Sequence, residues 1–189
     1  MTTIEPLNDD AIDEAAEFLT NCWREVYVGI LDADVLNGLT TASRAGYLRQ
    51  HILRGAAGLV QRDDTGAMVG VSFFEPGDAG IGFIDKVYVR PDLIGTGLGH
   101  ALLIATEDAM ISSGYTVAHL DVYPVNQRAI RFYESHGYTK IGEATDHLAD
   151  HEYPLDVMTK PLCHRTGHMG VMPPLGQAKP GLTQPLEGT

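Results

Sequence analysis

The sequence predicts a domain that mixes α-helices and β-strands (α+β, or mixed α/β). Two observations predict this class. Apolar residues recur at helical spacing over roughly the first 50 residues, and they follow strand-like patterns from about residue 58 to residue 89. A strand–helix–strand succession follows, and within one sheet that succession requires a crossover connection. We therefore expect helices first, then an antiparallel run of strands, and then a crossover.

The first third of the chain is predicted to be a strand, a helix, an irregular segment and a second helix. "MTTIEPL" is typical of a short strand, and Asn8 or Asp9 can cap the helix that follows it. "YVGILDADVLNGL" is irregular or weakly helical. Thr41 or Ser43 can open the next helix, which runs to about Leu53.

The middle of the chain is predicted to contain most of the sheet. "GLVQRDD" and "AMVGVSFF" are strand-like and flank the turn sequence "DTG", which is typical of a hairpin. "GFIDKVYV" predicts another strand, and "HALLIATEDAMISSG" predicts a helix that ends at its glycine. "TVAHLDV" predicts a strand, residues 126–136 a short helix, and "YTKIGEA" and "YPLDVMTK" the last two strands.

The composition changes after Lys160. Residues 161–189 hold five of the ten prolines and five glycines, without a periodic apolar pattern. We therefore expect one domain over residues 1–162 and a Pro/Gly-rich tail, mobile or irregular, over residues 163–189.

Charge and cysteine content narrow the classes of partner. The formal net charge is 13 − 25 = −12, which argues against nucleic acid and anionic membrane and is compatible with a cationic substrate. Two cysteines imply no disulfide framework and fit a reducing compartment. With no signal peptide and no apolar run of membrane-spanning length, we expect a cytoplasmic protein. The sequence leaves open whether the protein forms a homodimer.

Three alternating glycines, Gly95, Gly97 and Gly99, lie between a predicted strand and a predicted helix in "YVRPDLIGTGLGHALL". The dinucleotide-binding motif G-x-G-x-x-G does not match in either of its two possible alignments, because its third glycine position is occupied by His100 or Leu102. The P-loop motif does not match either, because its lysine is absent. Two interpretations stay open: a helix N-terminus whose backbone amides bind phosphate, or a tight turn without a ligand.

Together with a second motif, this segment resembles the GCN5-related N-acetyltransferase (GNAT) family. That family has Arg or Gln, then glycines three and five residues later, and here Ile94, Gly97 and Gly99 hold those positions. Its second signature, N-x-x-A-x-x-F-Y-x-x-x-G-F/Y, is complete in Asn126, Ala129, Phe132, Tyr133, Gly137 and Tyr138. The two motifs stand about 30 residues apart, and the resemblance extends over residues 2–162.

The resemblance implies a fold and an activity. The GNAT fold has a central, mostly antiparallel twisted sheet of six to seven strands, about four flanking helices, and a splayed strand pair that holds the cofactor. The implied activity is an N-acetyltransferase that moves acetyl from acetyl-CoA to a primary amine of a small molecule or peptide. Direct attack in a ternary complex is expected, with no metal. The alternative is a non-enzymatic acyl-CoA-binding regulatory module.

The resemblance also implies the cofactor contacts. Backbone amides would hold the pyrophosphate, the preceding strand would pair with the pantetheine arm as a peptide pairs with a sheet edge, and Tyr133 would lie near the thioester sulfur. The implied cofactor-binding residues are Val87, Tyr88, Val89, Ile94, Gly95, Thr96, Gly97, Leu98, Gly99, His100, Asn126, Ala129 and Tyr133. Because Ile94 replaces Arg or Gln, we expect weaker cofactor binding, or cover from Arg90 or Arg131.

Amine acetylation needs a general base, a hydrogen-bond donor that stabilises the oxyanion, and a general acid. A lysine-like amine has a pKa of about 10.4 and must lose a proton before it attacks. Strand alternation predicts that Asp85 shares a face with Val87 and Val89, which makes Asp85 the first candidate base. Glu75 or a water chain are the alternatives. The backbone amide of Val89 can stabilise the oxyanion, and Tyr133 can protonate the leaving thiolate.

The acceptor site is expected between residues 23–53 and a loop at residues 146–153, with Tyr27, Asp32, Glu75 and His151 as candidate contacts. Its substrate cannot be read from the sequence. The single "DTG" does not predict an aspartic protease, because that chemistry needs two such carboxylates. His147 and His151 lie four residues apart, but a loop is expected there, so no metal site is predicted.

Overall fold

The computed structural model describes residues 2–163 as one central sheet with helices on both faces. The strands are β1 (Thr3–Pro6), β2 (Ala57–Arg62), β3 (Met68–Pro76), β4 (Ile81–Val89), β5 (Val117–Val122), β6 (Thr139–Leu148) and β7 (His151–Pro161). The helices are α1 (Ile12–Tyr27), α2 (Ala33–Gly38), α3 (Thr41–Leu53), α4 (Leu98–Ser112) and α5 (Gln127–Ser135). The predicted tail falls, from residue 164 on, outside the described residues.

The seven strands are ordered β1-β2-β3-β4-β5-β7-β6. Every neighbouring pair is antiparallel except β4 and β5, which are parallel and joined through α4. This is the crossover that the sequence predicts, because parallel neighbours cannot be joined by a tight turn. The mixed α/β class and the mostly antiparallel sheet are confirmed.

Two apolar layers bury the faces of the sheet. Leu102 and Leu103 of α4 pack on one face with Phe74 and Ile84, and side chains of α5 border this cluster. The other face is covered by α1 and α3, whose apolar stripes pack on the central strands, with Ile12, Leu19, Leu48, Val71 and Phe73 in this second cluster. The apolar stripes that the helical periodicity indicates in α1, α3 and α4 are therefore on the sides that face the sheet.

The parallel pair β4–β5 opens towards its carboxyl end. Its pairing runs from Ile81–Val117 to Ile84–Leu120, and both strands continue beyond that point. Backbone groups of β4 after Ile84 are therefore left facing a gap rather than a neighbouring strand. This opening is the splayed strand pair that the family resemblance implies.

The segment at residues 146–153 is not the loop that the sequence predicts. β6 extends to Leu148, β7 begins at His151, and the two form a long hairpin. Ala149, with φ of 52°, lies in the short turn between them. Neither turn residue is a glycine, so the local turn signal was weak, and strand pairing across the hairpin decides the structure. Within residues 2–163, no helix has both the length and the apolar character needed to cross a membrane.

Candidate active site

A cleft of about 420 Å³ lies where β4 and β5 separate. Ligand-binding pockets commonly have volumes of this order. Predicted residues make up most of its wall: Tyr27, Asp85, Val87, Tyr88, Val89, Ile94, Gly95, Gly97, Gly99, His100, Asn126, Ala129 and Tyr133 line it. Thr96, Leu98, Asp32, Glu75 and His151 are not among its lining residues.

The glycine segment forms one end of the cleft. Gly95 and Gly97 have φ of 86° and 91°, and Gly97 caps α4. The amides of Ile94 and Thr96 donate to the carbonyls of Pro91 and Leu93, each at 3.3 Å. Among the described residues, none accepts from the backbone amides of Gly95, Gly97, Leu98, Gly99 and His100. The free amides at the start of α4 attract an anion.

Side chains from α4 and α5 also border this end of the cleft. Arg90, which the sequence offered as cover for Ile94, pairs with Asp92 at 2.7 Å, and Arg131 does not line the cleft. Arg128 lines it instead, together with His100 and His136. Sequence reasoning missed Arg128 and His136, because which face of α5 meets α4 depends on tertiary packing.

Asn126 and Tyr27 lie along the middle of the cleft. The side-chain oxygen of Asn126 accepts from the backbone amide of Ala129 at 3.1 Å and so caps α5. This bond explains part of the Asn-x-x-Ala spacing and leaves the side-chain nitrogen of Asn126 as a donor. Burial raises the pKa of Tyr27, against hydrogen bonds with Tyr88 and Asn126 that lower it.

Tyr133 lies in the wall of the cleft among aromatic rings. Its ring meets Phe132 edge-on at 5.3 Å and lies 5.6 Å from Tyr138. Burial raises the pKa of Tyr133 above its usual value, with a smaller contribution from Tyr27. The phenol therefore stays protonated at neutral pH, and no residue in the described part of the chain accepts its proton.

Asp85 faces a different neighbour from the one that strand alternation predicts. Phe73 pairs with Lys86 and Phe74 with Ile84, so Asp85 is the extra residue of a β-bulge. Val87 packs in the cluster beneath α4, whereas Asp85 accepts a hydrogen bond from Tyr47 of α3 at 3.0 Å. The prediction of a shared face is wrong, yet Asp85 still lines the cleft at the point where the strands separate.

Glu75 lies behind Asp85 rather than in the cleft. The hydroxyl of Tyr47 also lies 2.8 Å from Glu75 Oε1, and His51 Nδ1 lies 2.8 Å from the same oxygen. Lys86 forms an ion pair with Asp85, and burial lowers its pKa while Asp85 raises it. These side chains form a polar cluster between α3 and the bulge.

Asp32 and His151 form a separate cluster where α2 meets the β6–β7 hairpin. His151 lies 3.3 Å from Asp32 and 3.0 Å from Asp34, and the hydroxyl of Tyr153 donates to Asp32 at 2.7 Å. Within residues 2–163, neither this cluster nor any other places three or more His, Cys, Asp or Glu side chains so that they could hold a metal ion. The sequence analysis missed one acidic residue that lines the cleft, Asp121. Burial and the charge of Asp146 raise the pKa of Asp121.

Comparisons with solved structures find the same architecture. PaiA N-acetyltransferase from Thermoplasma acidophilum, in complex with coenzyme A, has a TM-score of 0.72 at 19% identity over 85% of this chain and 99% of its own. The ribosomal-protein-S18-alanine N-acetyltransferase of Escherichia coli has a TM-score of 0.65 at 18% identity, over 90% of this chain and 100% of its own. The protein yncA of Salmonella typhimurium, with its cofactor acetyl-CoA, has a TM-score of 0.66 at 20% identity, over 90% of this chain and 99% of its own.

None of the curated proteins compared with this chain matches it significantly. A family model described as acetyltransferase (GNAT) family matches residues 10–138, which is more than half of the chain. That span contains both sequence motifs, the splayed strand pair and the whole wall of the cleft. The chain belongs to the acetyltransferase (GNAT) family.

Proposed function

We propose that this protein transfers the acetyl group of acetyl-CoA to a primary amine by direct attack in a ternary complex. One observation carries the proposal: free helix-terminal amides and the Tyr133 phenol line the same cleft. A diphosphate at the amides and a thioester beside the phenol are the two ends of one extended ligand. The cleft lies along the unpaired edge of β4, where an extended arm can pair with backbone groups.

The described residues fit the cofactor. Gly95, Gly97 and their neighbours offer donors without side chains in the way, and an added Cβ at either glycine would meet no atom within 4 Å. Arg128, His100 and His136 add side-chain donors that compensate for Ile94. Asn126 would donate to an amide of the arm. When bound, acetyl-CoA would supply the activated acetyl group as a thioester.

The chain's own residues can then serve each step. Asp85, at the opening of the strands, would take a proton from the amine, and the backbone amide of Val89 would stabilise negative charge on the carbonyl oxygen. Tyr133 would donate its proton to the leaving thiolate. Burial raises the pKa of Tyr133, which weakens it as an acid, but apolar surroundings raise the pKa of a thiol as well.

The acceptor class that fits best is a cationic amine. Asp85 and Asp121 both line the cleft where β4 and β5 separate, and Tyr27 and Tyr88 add aromatic faces on which an ammonium group can lie. The net charge of −12 favours the same class through long-range attraction. The E. coli structural neighbour acetylates the alanine of a ribosomal protein, so peptide N-termini belong in the panel of acceptors.

A two-stage experiment tests this function. Acetyl-CoA should raise the melting temperature, whereas NAD should not, because a ligand that binds only the folded state stabilises it. Thiol release is then measured with acetyl-CoA and a panel of tyramine, spermidine, L-lysine, kanamycin and an alanine-terminated peptide.

The variant Tyr133→Phe decides whether the phenol acts in the reaction. It should keep the affinity for coenzyme A and lose about 100-fold in kcat, since general acids contribute roughly that much or more. Tyr115→Phe, in a tyrosine that does not line the cleft, is the matched control. Full activity in Tyr133→Phe, or no thiol release by the wild type with any amine, would contradict the proposal.

A further inference from the structure

A chain of side chains connects the cleft to the outer surface of α3. Asp85 lines the cleft, Tyr47 bridges Asp85 Oδ2 at 3.0 Å and Glu75 Oε1 at 2.8 Å, and His51 Nδ1 lies 2.8 Å from Glu75 Oε1. The side chains of Asp85, Glu75 and His51 each retain about a fifth of their exposure, at 19%, 21% and 20%. The chain therefore begins in the cleft and ends in contact with solvent.

We propose that Tyr47, Glu75 and His51 form a proton relay that carries the proton taken by Asp85 from the acceptor amine out to solvent. The inference rests on the proposed function and adds to it the route by which Asp85 is reset after each turnover. Tyr47, Glu75 and His51 act through Asp85 and are positioning residues for it.

A count of protons at Tyr47 supports this relay. A tyrosine hydroxyl carries one proton, yet the oxygen of Tyr47 lies within hydrogen-bond distance of two carboxyl groups. It can donate to only one of them, so the second contact is a true hydrogen bond only when the other carboxyl group holds a proton. The arrangement is complete with one extra proton on the Asp85–Tyr47–Glu75 triad, which is the state that follows deprotonation of the amine.

One proton passes through each group of the relay in turn, so the transfer is balanced. The acceptor ammonium loses a proton to Asp85, and Asp85 passes it to the oxygen of Tyr47 while Tyr47 gives its own proton to Glu75. Glu75 then protonates His51 at Nδ1, and the imidazolium loses a proton to water from Nε2. Exchange of the ring protons with water restores the first tautomer. No group keeps the proton, and Asp85 returns to its carboxylate.

The surroundings of Tyr47 suit a group that passes protons without ionising. Burial and the charges of Asp85 and Glu75 raise the pKa of Tyr47 far above its usual value, so a free tyrosinate does not form. Tyr47 therefore accepts one proton as it gives another. Its ring stacks on His51 at 3.9 Å, and the Lys86 ammonium lies 4.4 Å from its centre.

Two cations lie near the relay, one on β4 and one on α3. Lys86 pairs with Asp85 on β4, and the buried guanidinium of Arg44, one turn before Tyr47 on α3, lies 5.7 Å above the Trp23 ring. Arg44 Nε and Nη2 have no hydrogen-bond partner among the described residues. Arg44 interacts with the charge of Asp85, and Lys86 interacts with the charges of Asp85 and Glu75, so two cations lie beside the carboxyl groups of the relay.

The test uses Tyr47→Phe and His51→Ala, with Tyr115→Phe as the matched control. The assay is thiol release with acetyl-CoA and whichever amine of the panel above is turned over fastest. We expect each relay variant to lose about tenfold in kcat, with an unchanged KM for acetyl-CoA. This loss is smaller than the roughly 100-fold or more expected for a group that transfers a proton to or from the substrate, because the relay acts through Asp85. The wild type should be slower in D2O with a curved dependence on deuterium content, and Tyr47→Phe should remove the curvature.

Chemical rescue separates a relay from a structural role. Added imidazole should restore turnover in His51→Ala, whereas pyrazole, which has the same ring size but is a far weaker base, should not. His51 is partly exposed, so His51→Ala carries the test even if Tyr47→Phe fails to fold. Wild-type kcat in a folded His51→Ala, or equal rescue by both rings, would overturn the relay and leave the transferase standing. A wild type that is inactive with every amine would overturn both.

Discussion

Nδ1 of His100, in the first turn of α4, lies 2.8 Å from Nε2 of His136, at the end of α5. Nδ1 of His136 lies 2.6 Å from the carbonyl oxygen of Phe132, which can only accept, so this nitrogen carries a proton. The neutral pair therefore shares one proton between the two facing nitrogens. Both rings line the end of the cleft where the free amides of α4 converge.

This pairing predicts that His136 contributes to coenzyme A binding. Both rings line the end of the cleft where the free amides of α4 converge, so a ring nitrogen can donate to a phosphate oxygen there. His136→Ala should weaken coenzyme A binding by up to about tenfold, which calorimetric titration measures. His119→Ala, outside the cleft, is the control and should bind as the wild type does. An unchanged affinity in His136→Ala would contradict this role of the pair.

Arg128, rather than Arg131, is expected to compensate for Ile94. Both arginines belong to α5, but only Arg128 lines the cleft. Arg128→Ala should weaken coenzyme A binding about tenfold, which corresponds to roughly 1.4 kcal/mol and is typical of a charge-assisted hydrogen bond. Arg131→Ala is the matched control and should bind as the wild type does. Equal losses in the two variants would show that general charge, and not this position, matters.

Two glycines of the segment before and at the start of α4 are expected to have different effects when substituted, one on stability and the other on coenzyme A binding. Gly97 has φ of 91°, so Gly97→Ala should lower the free energy of unfolding by about 1–2 kcal/mol through backbone strain alone. Gly99 has ordinary backbone angles, and an added Cβ would lie 3.7 Å from Phe132 and Val89. Gly99→Ala should therefore keep its melting temperature while binding coenzyme A more weakly, since its methyl group stands beside the free amides. A stable Gly97→Ala would rule out this account.

The contact of His151 with Asp34 predicts a pH-dependent attachment of α2 to the hairpin. The hydrogen bond with Asp34 raises the pKa of His151, and the same bond lowers the pKa of Asp34. The contribution of His151 is therefore present below its unfolded pKa of about 6.5 and is lost as pH rises through its higher folded value. The contribution of Asp34 is present above about 3.8 and is lost as pH falls through its lower folded value.

A comparison of His151→Gln with the wild type tests this window. Between about pH 4 and 6.5 the wild type should melt at the higher temperature, and the difference should shrink at alkaline pH as His151 loses its proton. Hydrogen exchange of α2 should accelerate over the same alkaline range. His147→Gln, another exposed histidine of the hairpin, is the matched control. A melting difference that does not change with pH would show that His151 acts through packing rather than charge.

The sequence by itself determined the order of the elements, the buried faces of the main helices, and most of the residues that line the cleft. These features are local. Gly97 has the positive φ that ends a strand-to-helix turn, and Asn126 caps α5 through the amide of Ala129, three residues later. An apolar period of 3.6 or 2 residues can likewise be recognised within one segment, without knowledge of the segment that packs against it. The family motifs add Tyr133, because its position relative to Asn126 is set within one short helix.

Only the tertiary structure decided the direction of Asp85, the positions of Arg128 and His136 in the wall of the cleft, and the hairpin at residues 146–153. A β-bulge depends on pairing with β3, since one extra residue opposite Phe73 turns Asp85 towards Tyr47, which lies 38 positions earlier in the chain. The face of α5 that meets α4 depends on packing between two helices, and His100 and His136, which meet there, lie 36 positions apart in the chain. No periodicity within one segment can report which distant segment it will touch. The proposed proton route through Tyr47, Glu75 and His51 therefore could be inferred only from contacts in the folded chain.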